Sequence, residues 1–241
     1  MKNQIIQGDC LEVMKDIPDN SVDMVLCDLP YGTTACKWDT IIPFEPLWEQ
    51  YKRIIKDNGA IVLTASQPFT SALVMSNVKM FKYSWVWNKK IAGGFMVAKY
   101  RPLQVVEDVL VFSKNKTIYF PEMRTGKLRS KKNKARINGD VTENFKGLKG
   151  NFDGGVYDQY YPVNLIEFSN ADRKGKVHPT QKPVALFEYL IKTYTNEGDL
   201  VLDNCAGSGT TGVACKNLNR NFILIEKEPE YIDIIKKRLE I

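Results

Sequence analysis

Seven short runs of the chain are rich in Val, Ile and Leu, and longer polar or amphipathic stretches separate them. Most of these runs are continuously apolar rather than alternating, which is typical of strands that are covered on both faces. We predict strands at residues 4–8, 22–27, 60–65, 83–87, 105–112, 199–203 and 221–226. This pattern favours a sheet buried between two layers of helices.

Three further segments repeat apolar residues at helical spacing. The first begins near Pro43 and Pro46, at positions where a helix tolerates proline. The stripes are formed by Phe44, Leu47, Trp48, Tyr51, Ile54 and Ile55; by Phe187, Leu190, Ile191 and Tyr194; and by Tyr231, Ile234, Ile235 and Leu239. Strands that alternate with helices predict an open α/β sheet, in which ligands bind at the carboxyl ends of the strands.

The length of 241 residues fits one large domain that carries an insertion. The alternation of strands and helices is interrupted at about residues 115–177. We therefore predict a core formed by residues 1–114 and 178–241, and an insertion, residues 115–177, that is basic and partly irregular.

The net charge of +6 is concentrated in that insertion. Residues 124–149 contain nine Lys and Arg against two acidic residues, so the rest of the chain is close to neutral. Lys and Arg make the phosphate contacts of nucleic-acid-binding proteins, and a basic segment of this kind suggests a surface that faces a polyanion. A solvated loop explains the same composition, and the charge pattern alone does not decide between them.

The scarcity of histidine excludes several kinds of active site. His178 is the single histidine, so a site with two or three histidine ligands is impossible, and we expect no metal site. The five cysteines are scattered and form no CxxC pair, which argues against a disulfide framework and a zinc ribbon. No apolar run approaches the roughly 18 residues of a membrane span. We expect a reduced, cytoplasmic protein without a membrane partner.

A glycine-rich segment near the C-terminus predicts a nucleotide site. Residues 201–212 read VLDNCAGSGTTG, in which Gly207, Gly209 and Gly212 satisfy GxGxxG between a strand and a helix. Glu226 ends the next predicted strand, 19 residues after Gly207. Glycines let the backbone approach a ligand closely, and an acid at this offset can accept ribose hydroxyls. Alone, the segment fits any adenosine-bearing cofactor, including a nicotinamide dinucleotide.

A second motif, Asp28-Leu29-Pro30-Tyr31, directly follows the strand at 22–27. Together the two motifs resemble those of the S-adenosylmethionine-dependent DNA amino-methyltransferases, (D/N/S)PPY and DPFxGSGTT. The catalytic motif comes first here, which resembles the circularly permuted β group. HPTQKP at residues 178–183 resembles the segment before the cofactor helix. Leu29 replaces a proline of the family, and Asn204-Cys205 replace Pro-Phe.

The resemblance implies a Rossmann-like, seven-stranded, mostly parallel sheet and methyl transfer to an extruded base. Asp28 and the Leu29 carbonyl would accept the hydrogens of adenine N6, Pro30 would fix the turn, and Tyr31 would stack on the base. The implied S-adenosylmethionine site consists of Asp9, Cys10, Thr180, Lys182, Asp203, Cys205, Gly207, Ser208, Gly209, Thr210, Thr211 and Glu226. Within it, Asp9 would meet the adenine, Glu226 the ribose, and Thr180 and Lys182 the carboxylate.

Double-stranded DNA is the substrate that the resemblance implies, and a homodimer and a cognate restriction endonuclease are further partners that it suggests. The expected DNA contacts are Arg124, Lys127, Arg129, Lys131, Lys132, Lys134 and Arg136. We expect His178 to orient its turn, and Trp38, Trp85 and Trp87 to be core aromatics, with Trp38 also close enough in sequence to Tyr31 to line a base pocket.

Four alternatives stay open at this point. Cytosine N4 methylation shares the amino-group chemistry. An RNA or protein amide methyltransferase usually begins its motif with asparagine, which Asp28 and the basic insertion argue against. A nicotinamide oxidoreductase explains GxGxxG and Glu226 but leaves Asp28 to Tyr31 without a role. A non-catalytic DNA-binding relative is disfavoured by the intact Asp28, Tyr31 and Asp203.

Overall fold

The computed structural model describes residues 2–34, 36, 39–130, 135–137, 150–152, 155–170 and 181–241, and of 135–137 and 150–152 the backbone alone. The described residues divide into two compact units, Met1–Phe120 with Val163–Ile241, and Pro121–Pro162. The first unit is an α/β fold around one large sheet. The predicted insertion boundaries at 115 and 177 stay a prediction.

The sheet of the first unit has eight strands among the described residues. In chain order these are β1 (Gln4–Gln7), β2 (Val22–Cys27), β3 (Ile55–Ala65), β4 (Phe81–Gly93), β5 (Gln104–Phe112), β10 (Leu165–Glu167), β11 (Leu200–Asp203) and β12 (Asn221–Glu226). Their order across the sheet is β1-β12-β11-β2-β3-β5-β4-β10. Only the β3–β5 and β5–β4 pairs are antiparallel. The predicted mostly parallel sheet is confirmed, with one strand more than expected.

The extra strand, β10, pairs in parallel with β4 through Leu165, Ile166 and Glu167. It is only three residues long and Ile166 is its one buried residue. Such a segment carries too little apolar periodicity to be recognised from sequence. It is therefore the tertiary pairing with β4 that makes it a strand.

Six helices accompany the strands in the described part of the first unit. They are α1 (Cys10–Val13), α2 (Phe44–Ile54), α3 (Phe69–Ser76), α4 (Val184–Tyr194), α5 (Thr210–Asn217) and α6 (Pro229–Leu239), and two 3-10 turns lie at Met14–Asp16 and Phe95–Val97. The three predicted amphipathic helices are confirmed as α2, α4 and α6. Ile55, assigned to the first stripe, instead begins β3, which pairs with β2 from that residue onward.

The central strands are apolar on both faces, as their continuous hydrophobic runs predicted. Along β2, Val25 and Cys27 pack into one core cluster, while Met24 and Leu26 pack into a second cluster on the other side. Trp85 and Trp87 are buried at 4% and 0% exposure, which confirms them as core aromatics. The sheet is thus packed between two hydrophobic cores, one on each face.

The second unit contains two antiparallel pairs among its described residues. Strand β6 (Arg124–Ser130) pairs with β9 (Val156–Tyr160), and β7 (Ala135–Ile137) pairs with β8 (Gly150–Phe152). All seven residues of β6 are exposed. No helix in the described part of the chain is long and apolar enough to cross a membrane.

Candidate active site

Four acidic residues meet at the carboxyl edge of the sheet. Asp9 follows β1, Asp28 follows β2, Asp203 ends β11 and Glu226 ends β12. Strands β1, β12, β11 and β2 are adjacent and parallel, so their carboxyl ends lie side by side. All four acids line one cavity of about 600 Å³ within the first unit.

The structure brings most of the predicted site residues into this cavity. Asp28, Leu29, Pro30 and Tyr31 line it together with Asp9, Cys10, Lys182, Asp203, Cys205, Gly207, Ser208, Thr210 and Glu226. Thr211 lies just behind the wall, where its hydroxyl donates to Asp203. Gly209 caps α5 beside the cavity with a φ of +78°. Thr180, His178 and Trp38 lie outside the described residues.

At two glycines of the glycine loop, a side chain would come too close to neighbouring residues. A Cβ on Gly209 would lie 3.0 Å from Ile235 in addition to the unfavourable positive φ, and a Cβ on Gly212 would lie 2.6 Å from Leu224. Gly207 donates its N–H to Glu226 Oε2 at 2.7 Å, which ties the loop to the end of β12. The loop is thus packed closely against the neighbouring strand and α6.

Glu226 is held in a fixed orientation at the floor of the cavity. Its Oε1 accepts the backbone N–H groups of Lys227 and Glu228 at 2.8 and 2.9 Å. Burial raises the pKa of the Glu226 carboxyl above its ordinary value, although these hydrogen bonds oppose the shift. Oε2 accepts one N–H, from Gly207, and has a second lone pair, so it can still accept one hydroxyl donor from a ligand.

Asp203 is buried, with 3% of its surface exposed, and it organises the start of the loop. It accepts the backbone N–H of Cys205 at 3.1 Å and the Thr211 hydroxyl. Burial raises the pKa of Asp203 to about 6, against the opposing effect of these hydrogen bonds. A positively charged ligand group in the cavity would relieve this cost, since an opposite charge favours the ionised carboxylate.

The Asp28 to Tyr31 turn is cross-linked by its own side chains. The Tyr31 hydroxyl donates to Asp28 Oδ1 at 2.8 Å, and the Thr64 hydroxyl donates to the same oxygen. The Tyr31 ring stacks on Phe69 with centroids 5.1 Å apart. Both groups of the motif are therefore oriented before any ligand arrives.

Asp39 organises the loop that follows the motif, a role that sequence reasoning missed. Its carboxylate accepts the backbone N–H groups of Gly32 and Thr33, each at 2.9 Å, and of Thr34 at 2.6 Å. Burial by itself would raise the pKa of Asp39, but the hydrogen bonds from Thr34, Gly32 and Thr33 bring it below its ordinary value. The carboxylate thus ties Asp39 to the backbone of residues 32–34 at the cavity wall.

Two charged residues lie beside the motif at positions that the sequence did not predict. Lys182 is 9% exposed and places its Nζ 2.5 Å from Asp28 Oδ2, whereas sequence reasoning directed it to the cofactor. Glu107 on β5 also lines the cavity, and its Oε2 lies 3.7 Å from the same ammonium. The signal for Glu107 was present in the sequence, since a carboxylate at that position interrupts an apolar strand.

The predicted DNA-contacting residues lie in the second unit as far as they are described. Arg124, Lys127 and Arg129 are exposed on β6. Arg124 donates to the Tyr161 carbonyl at 3.2 Å, and the Arg129 guanidinium lies 5.7 Å from the Tyr160 ring centroid. Lys131, Lys132 and Lys134 are outside the described residues, and of Arg136 only the backbone, in β7, is described.

Comparison with known proteins now decides the family. The model of the N6_N4_Mtase family, described as DNA methylase, matches residues 22–237. The chain belongs to this family. That match spans both the Asp28 motif and the glycine loop, and so it covers both halves of the cavity.

Curated relatives of this DNA methylase match it over nearly its whole length. The Type II methyltransferase M.HpaI of Haemophilus parainfluenzae is 29% identical over 100% of this chain and 75% of its own. The DNA adenine methyltransferase YhdJ of Escherichia coli strain K12 is 33% identical over 98% of this chain and 82% of its own.

Solved structures agree with the fold of the DNA methylase. The M1.HpyAVI–SAM complex is 28% identical, covers 98% of this chain and 99% of its own, and superposes with a TM-score of 0.64. The cytosine-N4-specific PvuII DNA methyltransferase covers 99% of this chain and 86% of its own with a TM-score of 0.70. At 18% identity the PvuII likeness concerns the fold alone.

Proposed function

We propose that this DNA methylase transfers a methyl group from S-adenosylmethionine to the N6 amino group of adenine in duplex DNA. The observation that carries the proposal is the single cavity of about 600 Å³ that the Asp28 motif and the glycine loop both line. A methyl donor and a target base bound there would be held next to each other. Holding the two reactants in line is expected to accelerate a one-step displacement more than any other effect.

The cofactor half of the cavity fits S-adenosylmethionine. Glu226 Oε2 has a free lone pair for a ribose hydroxyl, Asp9 lines the wall beside Cys10, and the buried Asp203 carboxylate suits a cationic methionine moiety. The Gly207 loop allows close backbone approach. When bound, the cofactor supplies an electrophilic methyl group. M1.HpyAVI, which is 28% identical, is a relative whose structure contains this cofactor.

The base half of the cavity fits an extruded amino base. The lone pair of an exocyclic amino group is delocalised into the ring, so the nitrogen needs acceptors for its hydrogens before it can attack. Asp28 and the Leu29 carbonyl would supply them. The Leu29 side chain is buried in the core at 4% exposure, which is compatible with a contribution from the backbone alone and with the loss of the usual proline.

Tyr31 would stack on the base. Its ring is already oriented by Phe69 and by the hydrogen bond to Asp28. Stacking on an aromatic side chain is worth roughly 1–3 kcal/mol per base, which offsets part of the cost of extruding it from the duplex. No histidine base is needed in this scheme, in agreement with the single histidine of the chain.

The choice of adenine rests on two supports. Asp28 occupies the first position of the motif, which favours adenine in this family, and the 33% identical E. coli relative is named a DNA adenine methyltransferase. We further propose that residues 115–177 hold the target-recognition region, because most of the net positive charge lies there and Arg124, Lys127 and Arg129 are exposed.

The setting of the enzyme is part of the same proposal. Several relatives are named Type II methyltransferases, which favours a cognate restriction endonuclease as a partner. A homodimer and membership of the permuted β group are carried over from the sequence resemblance. An enzyme that modifies DNA acts where the DNA is, so we place it in the cytoplasm of a prokaryotic or phage-infected cell.

Mass spectrometry of the modified base tests the proposal. Plasmid DNA is incubated with the purified protein and S-adenosylmethionine, digested to nucleosides and analysed, and the modified positions are mapped by single-molecule sequencing. We expect 6-methyladenine at one recurring sequence. A product that is only 4-methylcytosine would refute the adenine assignment, and no methylated base on any DNA would refute the function. Asp28→Ala provides the inactive control.

A further inference from the structure

Glu107 and Lys182 form a charged network with Asp28 that the roles proposed above do not use. Lys89 Nζ lies 3.0 Å from Glu107 Oε1, Lys182 Nζ lies 3.7 Å from Glu107 Oε2, and Lys182 Nζ lies 2.5 Å from Asp28 Oδ2. Two cations thus alternate with two anions and end at the catalytic carboxylate. All four residues line the cavity.

The network is mostly withdrawn from water. The side chains of Lys182, Lys89 and Glu107 are 9%, 13% and 16% exposed, against 24% for Asp28. Burying charged groups costs free energy that pairing offsets only in part. An arrangement of this kind is therefore expected to serve a function. Burial alone would lower the pKa of Lys182, but the Asp28 and Glu107 carboxylates raise it above its ordinary value. The ammonium therefore stays charged at neutral pH.

One atom of the network is left without a hydrogen bond. Among the described residues, no donor reaches hydrogen-bond distance of the buried Glu107 Oε2, although the Lys182 ammonium stands 3.7 Å away. Glu107 occupies a fixed position on β5, opposite Trp87 on β4, and Trp87 is fully buried. The carboxylate thus attracts the Lys182 ammonium in addition to Asp28.

The Lys182 ammonium lies next to the position that we expect for the target base. It lies 5.8 Å from the centroid of the Tyr31 ring, on which the base would stack, and it touches the carboxylate that would accept the amino hydrogens. An acceptor and a charged donor therefore sit side by side. Adenine presents the complementary pair on its Watson–Crick edge, an amino donor at N6 next to an acceptor at N1.

We propose that Asp28 and Lys182 together read the Watson–Crick edge of the target base, with Lys182 donating to adenine N1, and that Glu107 is the positioning residue for Lys182. This inference rests on the proposed function. Flipped bases are commonly read along this edge. The pair rejects guanine and thymine, which carry a ring N–H where adenine carries an acceptor, because the ammonium would face another donor. Cytosine N3 satisfies the same pair, so the pair selects amino bases as a class.

Substrate analogues separate this role from a structural one. Duplexes are synthesised with adenine, 1-deazaadenine or 7-deazaadenine at the mapped methylation position, and single-turnover rates are measured. The wild type is expected to prefer adenine over 1-deazaadenine. Lys182→Met should reduce that preference about 10- to 100-fold, the amount expected for one charged hydrogen bond. The preference over 7-deazaadenine, which keeps N1, should not change.

Two variants complete the design. Glu107→Gln keeps the shape and an acceptor for Lys89 but removes the charge, and it should reduce the 1-deazaadenine preference in the same direction by a smaller factor. Lys56→Met is the matched control, because Lys56 makes a similarly short ion pair, 2.6 Å, with Asp23 at the opposite edge of the sheet. Its preference should equal that of the wild type. If Lys182→Met does not fold, Glu107→Gln still tests the inference.

The outcomes are distinguishable. Equal losses on adenine and 1-deazaadenine in both variants would overturn the inference and make the network structural. A tenfold loss of S-adenosylhomocysteine affinity in Lys182→Met, measured by calorimetry with the analogue preference intact, would assign Lys182 to the cofactor instead. A wild type that forms no methyladenine would refute the proposed function itself, before any variant is compared.

Discussion

The substitution Asp203→Asn should stabilise the ligand-free protein at neutral pH and weaken its cofactor binding. Burial raises the pKa of Asp203 from an ordinary value of 3.8 to about 6 in the folded protein. Between these two values the folded state holds a proton that the unfolded state has released. The stability that this proton contributes is complete below pH 3.8 and is lost as the pH rises through about 6.

The magnitude follows from that difference. About two pKa units correspond to about 3 kcal/mol, at roughly 1.4 kcal/mol per unit. Asparagine cannot ionise, and it can keep the hydrogen bonds to Cys205 and Thr211, accepting from the Cys205 N–H and donating to the Thr211 hydroxyl. The variant should thus match the wild type near pH 4 and exceed it by up to about 3 kcal/mol at pH 8, or roughly 6–12 °C in Tm for a domain of this size.

Denaturation at a series of pH values measures this effect directly. The difference in unfolding free energy between variant and wild type is recorded from pH 4 to pH 8, and affinity for S-adenosylhomocysteine is measured by calorimetry at pH 8. Asp57→Asn, at a side chain that is 79% exposed, controls for the loss of one negative charge. A variant that is less stable at pH 8, or a difference that does not grow with pH, would refute the reasoning.

Three further perturbations test other parts of the molecule. Tyr31→Ala should lower the methylation rate at least 100-fold and change S-adenosylhomocysteine affinity less than threefold; a parallel loss of both would contradict its assignment to the base. Gly209→Ala should lower the free energy of unfolding by about 1–3 kcal/mol, because residue 209 has a φ of +78° and the added Cβ would lie 3.0 Å from Ile235. An unchanged midpoint of denaturant unfolding would argue against this. The double reversal Arg124→Glu/Arg129→Glu should reduce the slope of log affinity for DNA against log salt by about 2. An unchanged slope would make that strand an ordinary solvated surface.

The sequence was sufficient to predict those residues of the candidate site that lie within one local segment. Asp28 and Tyr31 follow a strand whose apolar run is unmistakable, and Gly207 and Glu226 occupy a strand–turn–helix–strand unit with a regular offset. Such motifs are readable because the backbone geometry that they need is produced by neighbouring residues. The structure accordingly places all four at the cavity.

Contacts between distant segments could not be read in this way. Lys182 pairs with Asp28 across 154 positions of the chain, and Glu107 reaches the same ammonium from β5. Asp39 was overlooked because its partners are backbone N–H groups, which any residue supplies. Hydrophobic periodicity indicates which face of an element is buried, but it does not indicate which loops the sheet brings together.

The hydrophobic pattern by itself determined the α/β class, seven of the eight described strands of the large sheet and the edge at which the cavity lies. Only the tertiary structure decided that β10 joins β4 and that Lys182 faces Asp28. The physical reason is the order of strands across the sheet, β1-β12-β11-β2-β3-β5-β4-β10, which differs from their order in the chain. That order arises from packing of the two cores as a whole, and it places side chains from remote segments within hydrogen-bond distance.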